Sequence, residues 1–517
     1  MAEEKHFFHG LLYPEAVSLP RLDDVLTGRG AAEGVEAAFY IHLGKTSELH
    51  VVLRRLRQGV RVLRSNGHRV YMVDAKAFKD DVLKAAYAET LAHRLLTPYQ
   101  PIRGESFLRR LEITYKKEVI TQLLKDLVSE HKLAAANFLI DVRYFLYEKL
   151  RRLVEVFPLM RAELVEVLEN CTDAVRGFEE AAEKLVSEGV LARRNGYYAL
   201  SMDAMRNFGT IPILTGLEQL KKINILKVSK AFSFLVFDVG LPAHPHHLPD
   251  PEQYVYLTTA RGLQPLSKQL DMLDFVREFY GGVEAKVRRV GGLFNSTYVI
   301  EADSVKLFAK RYLSWTDVKW VAARLWTAWV KDFSINPSTR MAKEIYYLNH
   351  LRNLGFSTPE IIHVNWNGKI LYTSYVEGQN LIAAWLGKSP DRRFFARQVG
   401  ENLAQIHGRG VRLGDCKPES FIKSSEGEIF VTDVEQASTD GDPAWDLMEL
   451  VFYPGHYLDA EEAGLLAADV VEGYARAGSL ETVRRSLKPG YVRTMALWTP
   501  PWVQKAVSDR VKLFLRA

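Results

Sequence analysis

Cysteine is nearly absent from this chain: 517 residues carry two, Cys171 and Cys416. Two thiols give no basis for a disulfide framework or a thiolate metal cluster. Long hydrophobic runs are missing too. No stretch approaches the roughly 18 consecutive apolar residues of a membrane helix. The first ten residues, MAEEKHFFHG, mix charges and lack the apolar run of a secretory signal. These absences predict a soluble, cytoplasmic protein. An excess of one charge is also lacking. The 68 Lys and Arg against 63 Asp and Glu leave a formal net charge of +5, too mild to imply nucleic acid. Internal repeats and low-complexity tracts do not occur.

What is present fits a globular protein: 47% apolar and 25% charged residues. The length exceeds what one core supports, and about 150 residues per domain suggests about three units. Residues 1 to about 75 mix strand and helix signals, with EAAFYIHL (36–43) and HRVYMV (68–73) as strands. From 76 to about 170 the pattern is mostly helical. LRRLEITYKKEVITQLLKDLVSEH has apolar residues near i, i+3, i+4 and i+7, and ANFLIDVRYFLYEKLRRLVEVF continues it. FEEAAEKLVSEG then reads as a helix capped by Thr172 or Asp173 and ended by Gly189. VLARR and YYALS flank Asn195–Gly196, a two-residue hairpin signal. A helix followed by a hairpin is the last part of a winged helix-turn-helix.

The chemistry-bearing text begins near residue 290. RVGGLFNSTYVIEADSVKLFAKRY reads as strand, glycine turn, strand, turn, strand. Gly291 and Gly292 let backbone approach a phosphate, and Asn295, Ser296 and Thr297 add side-chain donors. A lone Gly-Gly is more often a structural turn. Lys310 sits in the apolar strand LFAKRY, where a lysine is usually solvated. Here a glycine turn precedes it, and Glu344 follows on the helix TRMAKEIYYLNHLRNLG, which ends at Gly355. KILYTSYVEGQNL is a strand running into Glu377–Gly378. Three carboxylates come next in order: Asp415 in VRLGDCKPESFI, Asp433 at the end of the strand in EIFVTDVEQA, and Asp446 in GDPAWDLMEL. Lys417 and Ser420 lie two and five residues after Asp415.

Residues 290–450 resemble the protein-kinase-like superfamily. GGLFNSTYVI, TDVE and GDPAWDL are most similar to its aminoglycoside-phosphotransferase and choline-kinase branch, and DCKPESF to the catalytic loop of eukaryotic-type protein kinases. In its compact, archaeal style the segment also resembles the RIO kinases and the small kinase of the KEOPS complex. The resemblance implies a bilobal, ATP- and Mg²⁺-dependent domain over 271–517, with an N-lobe to about 375. It implies Asp415 as catalytic base and Lys417 as the group that stabilises the transferring phosphoryl. It further implies Asp433 as Mg²⁺ ligand and Lys310–Glu344 as the ion pair over the α- and β-phosphates. Glu377 would mark the hinge that holds adenine. The chain departs from the pattern twice. Ser420 stands where Asn is usual as second metal ligand, and Leu413 stands where His is usual.

Three features outside this set have plainer readings. Trp315, Trp320, Trp326 and Trp329 at helical spacing suit a partner or membrane face, but more often pack in a core. Arg54, Arg55, Arg57, Arg61, Arg64, His68 and Arg69 contain no acid among them. They suit a nucleic-acid backbone, with Arg193 and Arg194 on the supposed wing, or pair with acids elsewhere. His244, His246 and His247 lack the companions of a metal site and read as linker.

The expectation is therefore an α+β multidomain protein. An α-rich N-terminal region (1–170) precedes a winged-helix-like element (171–205), a connecting region (206–270) and the kinase-like domain. Its activity would be transfer of the γ-phosphoryl group of ATP to a hydroxyl of a protein or a polar small molecule. The alternative is a pseudokinase scaffold whose N-terminal half binds nucleic acid or protein.

Overall fold

The computed structural model describes residues 34–43, 46–56, 60–65, 68–156, 171–210, 248–281, 285–290, 295–302, 305–313 and 333–516. The glycine pair 291–292, the four tryptophans and the histidines 244, 246 and 247 lie outside them. The chain forms two compact units. One is Met1–Asp126 with Leu139–Val255; the other is Leu127–Phe138 with Tyr256–Ala517. Among the described residues no helix is long and apolar enough to cross a membrane.

Among the described residues, the first unit begins with a run of strands. β1 (Val35–Leu43), β2 (Thr46–Leu53), β3 (Val60–Ser65), β4 (His68–Asp74) and β5 (Gln100–Arg103) form one sheet in the order β3-β4-β2-β1-β5. β2 and β4 run parallel and the other neighbours antiparallel. Alternating Val, Leu and Ile bury one face around Leu49, Val51 and Val70. α1 (Ala75–Lys84) follows, capped by Asp74. α2 (Glu105–His131) is the long helix its periodicity predicts. The helical reading of ANFLI is corrected: Phe138–Ile140 is a strand, β6, and only then does α3 (Arg143–Val156) begin. Three residues of fully buried strand carry no alternation, so periodicity alone cannot separate them from helix.

α4 (Cys171–Ser187) starts at or before Thr172 and Asp173, which lie in its first turn. β7 (Leu191–Arg194) and β8 (Tyr197–Leu200) pair across Asn195–Gly196, both at positive φ (50° and 84°), as a two-residue hairpin requires. α5 (Met202–Thr210) follows. The basic run is partly neutralised: Arg54 pairs with Glu36 at 3.0 Å and Arg69 with Glu48 at 3.6 Å. Arg193 pairs with Glu183 and stacks on Tyr198.

In the second unit a hairpin, β9 (Val255–Thr259) and β10 (Gly262–Pro265), occupies what reads in sequence as connecting region. α6 (Met272–Tyr280) then packs Phe275 and Val276 against a five-stranded antiparallel sheet. Its strands are β11 (Ala285–Arg289), β12 (Asn295–Ala302), β13 (Val305–Tyr312), β14 (Ile361–Asn365) and β15 (Ile370–Ser374), in the order β11-β12-β13-β15-β14. Between β13 and β14 comes α7 (Pro337–Asn353), capped by Asn336, with Gly355 just beyond its end at φ 93°.

The rest is mainly helical. β16 (Gly378–Asn380), α8 (Leu381–Leu386) and α9 (Arg392–Gly408) precede a small sheet made by β16 with β17 (Phe421–Ser424) and β18 (Ile429–Val431). α10 (Pro443–Phe452), α11 (Ala460–Ala477), α12 (Leu480–Ser486), α13 (Pro489–Thr494) and α14 (Pro501–Arg516) complete it. α9 and α11 meet at two glycines. A Cβ on Gly400 would lie 2.0 Å from the Val470 carbonyl, and one on Gly473 1.9 Å from that of Arg397. That close approach holds α9, and the loop it feeds, against the helical core.

Candidate active site

Lys310 lies on β13, where the pleat turns it to the face opposite Ala309, which packs in the core with Phe275. Its side chain is 6% exposed, and its Nζ donates to Glu344 Oε2 at 2.7 Å and Asp433 Oδ1 at 2.5 Å. Glu435 Oε2 is 3.1 Å away. The three acids come from α7 and from the segment just after β18, and their oxygens lie within 4.8 Å of one another. Tyr312, two residues along β13, donates its hydroxyl to Glu344.

Burial alone would depress the Lys310 ammonium. Asp433, Glu344 and Glu435 outweigh it and hold the group well above its ordinary value, so it stays charged. Burial pushes Glu344 up to about 7 against the pull of Lys310. Asp433 is desolvated by its neighbours although 46% of its side chain stays exposed, and Lys310 holds its carboxyl below the usual range. Its backbone has φ 57°, a left-handed conformation that a non-glycine residue rarely adopts.

Asp415 and Lys417 form a second pair, with Nζ 2.8 Å from Oδ1. Burial lowers the Lys417 ammonium, but Asp415 and then Glu449 raise it above its ordinary value. Lys417 also lowers Asp433, so the two clusters share one field. The loop carrying the pair is hung from α10. Asp446 accepts the backbone N–H groups of Leu413 at 2.7 Å and Gly414 at 2.8 Å, and Glu449 accepts that of Cys416 at 2.8 Å. Leu413 itself is buried core.

The other expected residues are placed as follows. Ser420 is buried in the short turn Pro418–Ser420, and its carbonyl accepts the N–H of Thr432, the residue before Asp433, at 2.9 Å. Asn295 and Ser296 are buried on β12. The Asn295 amide donates to Glu435 at 3.0 Å and accepts from Arg340 at 2.8 Å, so its hydrogen bonds run inside the protein. Glu377 precedes β16, is 68% exposed and pairs with Lys306 at 2.8 Å, away from the Lys310 cluster. Glu435, Arg340, Glu449 and His407 were not among the expected site residues. Glu435 carries a signal in its spacing, two residues after Asp433, and Arg340 in lying one helical turn before Glu344.

Hard oxygen donors with one partly exposed carboxylate suit Mg²⁺, and Asp433 fits that role better than Glu344 and Glu435, which are buried against Lys310.

No protein-family model matches the chain, and no curated protein sequence matches it. Among solved structures, the chain matches the microcompartment-associated aminopropanol kinase at 12% identity and TM-score 0.27, covering 47% of this chain and 97% of that one. It also matches choline kinase LicA from Streptococcus pneumoniae, at 15% identity and TM-score 0.26, covering 47% of this chain and 98% of that one. Both overlaps are too loose for any residue to be carried from one chain to the other.

Proposed function

We propose that the second unit is an ATP- and Mg²⁺-dependent phosphotransferase that moves the γ-phosphoryl group to a hydroxyl of a polar small molecule or of a folded protein. One observation carries the reading. A buried lysine on a sheet strand meets a glutamate 34 residues on and an aspartate 123 residues on, and the charge of Lys417 also lowers that aspartate. In this reading Lys310, steered by Glu344, binds the α- and β-phosphates. Asp415 takes the proton of the acceptor hydroxyl. Lys417 neutralises charge on the phosphoryl in flight. Asp433, with Ser420 nearby, would hold Mg²⁺, which when bound offsets phosphate charge. Phosphoryl transfer rests on positioning and charge stabilisation, so this small set suffices.

The test is release or transfer of label from γ-labelled ATP by wild type and by Asp415→Asn. Label release by wild type and its loss in the variant support the reading. A wild type that binds Mg·ATP without releasing label makes the domain a nucleotide-sensing scaffold.

A further inference from the structure

Arg340 is 0% exposed, yet it carries a full charge beside the site. Its Nη1 donates to Asn295 Oδ1 at 2.8 Å and to Glu435 Oε1 at 3.3 Å, and its Nη2 donates to the Leu313 carbonyl at 2.6 Å. Asn295 closes the ring by donating to Glu435 Oε2, the oxygen that also faces Lys310. Both Glu435 oxygens are thus held. Taking a guanidinium wholly out of water is costly, and an apolar residue would fill the space at lower cost. A second tether lies beside it: Gln436 accepts the Ser334 N–H at 2.9 Å and donates to the Ser334 carbonyl at 3.1 Å.

We infer that Arg340 is a positioning residue, which bolts the Asp433–Gln436 segment to α7 so that Glu344, Glu435 and Asp433 are held around Lys310 before nucleotide arrives. The inference rests on the phosphotransferase reading. One helix then serves the site twice, through Glu344 directly and through Arg340 by way of Glu435. α7 and the segment move together, and no swing of the helix is needed to assemble the lysine–glutamate pair.

Arg340→Met alone takes the donor from Glu435 Oε1 and leaves that buried carboxylate with Lys310 and Asn295 on its other oxygen, so a loss of folding would be ambiguous. The decisive variant is therefore Arg340→Met/Glu435→Met, which removes both charges and keeps volume. Three measurements are made on the full chain: thermal melting, amide hydrogen exchange over residues 433–438, and Mg·ATP hydrolysis with water as acceptor. The double variant is expected to melt near wild type while exchange over 433–438 rises. Its kcat should fall about 10- to 100-fold, as for other groups that support a site from behind, with a smaller change in KM for ATP. Arg340→Lys should recover part of kcat. A folded double variant with wild-type exchange and kcat overturns the inference and leaves the phosphotransferase reading standing. A wild type that does not bind Mg·ATP overturns both.

Discussion

His407 and Asp446 lie 39 residues apart in sequence and 3.1 Å apart in space. One ends α9 and the other sits in the first turn of α10, and the loop with Asp415 hangs from the same Asp446 carboxylate by two backbone N–H groups. Asp446→Ala would strand three buried groups at once. The expected loss is about 3 kcal/mol or more in urea unfolding, since each orphaned buried group costs roughly 1–3 kcal/mol. Asp446→Asn keeps an acceptor oxygen and should cost less. Equal stability of wild type and Asp446→Ala would show that the loop is held elsewhere.

Mg·ATP should raise the melting temperature by mass action, by the equivalent of about 2.7 kcal/mol at a hundred times the dissociation constant. Lys310→Ala and Asp433→Ala should each remove most of that gain. A full shift in both variants would mean the nucleotide sits in a different cleft.

Ser420→Asn offers the amide oxygen that kinase-like loops usually place there. Less Mg²⁺ should then be needed for half-maximal hydrolysis. The site is buried, so the larger side chain has to displace neighbours, and a loss of stability of about 1 kcal/mol is expected alongside. An unmoved Mg²⁺ titration would take Ser420 out of the metal site.

Glu48 gives the first unit an acid-sensitive joint. Burial raises its carboxyl, but Arg94, His50 and Arg69 win and hold it at about 2. The unfolded value is higher, near 4.3 on the usual scale of roughly 4 for carboxylates. The native state therefore binds fewer protons in this window. The stabilisation is fully present above about pH 4.5 and is lost as pH falls toward 2. About two pKa units correspond to about 3 kcal/mol. Glu48→Gln should flatten the acid limb of the stability curve between about pH 4.5 and 2, and it should also lower stability at neutral pH by removing the buried carboxylate that faces Arg94 and Arg69. Parallel acid limbs in wild type and variant would refute the assignment.

Between Asp433 and Asp446 there is little room for a regulatory loop. Arg412 and Ser438 close that stretch with two backbone hydrogen bonds, at 2.8 and 2.9 Å. Protein expressed in bacteria and treated with phosphatase should keep its full transfer activity. Its acceptor should not be an extended peptide laid on such a loop. Activity that vanishes and returns on phosphorylation within 433–446 would contradict the first claim. Rapid phosphorylation of short unstructured Ser/Thr peptides would contradict the second.

Much of the second unit is legible in the text of the chain. Lys310 stands out because a charge interrupts an apolar strand; Asp415 comes after a helix whose period is clear, Asp433 after a short apolar run and Asp446 after a Gly-Asp-Pro turn. The hairpin signal at Asn195–Gly196 is equally local. The unread parts are long-range. Nothing near Asn295 says that its amide turns inward to Glu435, 140 residues away, because a polar residue after a glycine pair reads as a phosphate donor. The strand at Phe138–Ile140 fails for a different reason: three residues are too few to show a period. In the basic run, the partners of Arg54 and Arg69 sit on neighbouring strands, so strand pairing settles what a linear count of charges leaves open.

The left-handed backbone of Asp433 places two demands on one position. The conformation costs an ordinary residue roughly 1–2 kcal/mol that glycine does not incur. Under the proposed function the position needs a carboxylate, so Asp433→Gly would relieve the backbone, take a partner from buried Lys310 and end the chemistry together.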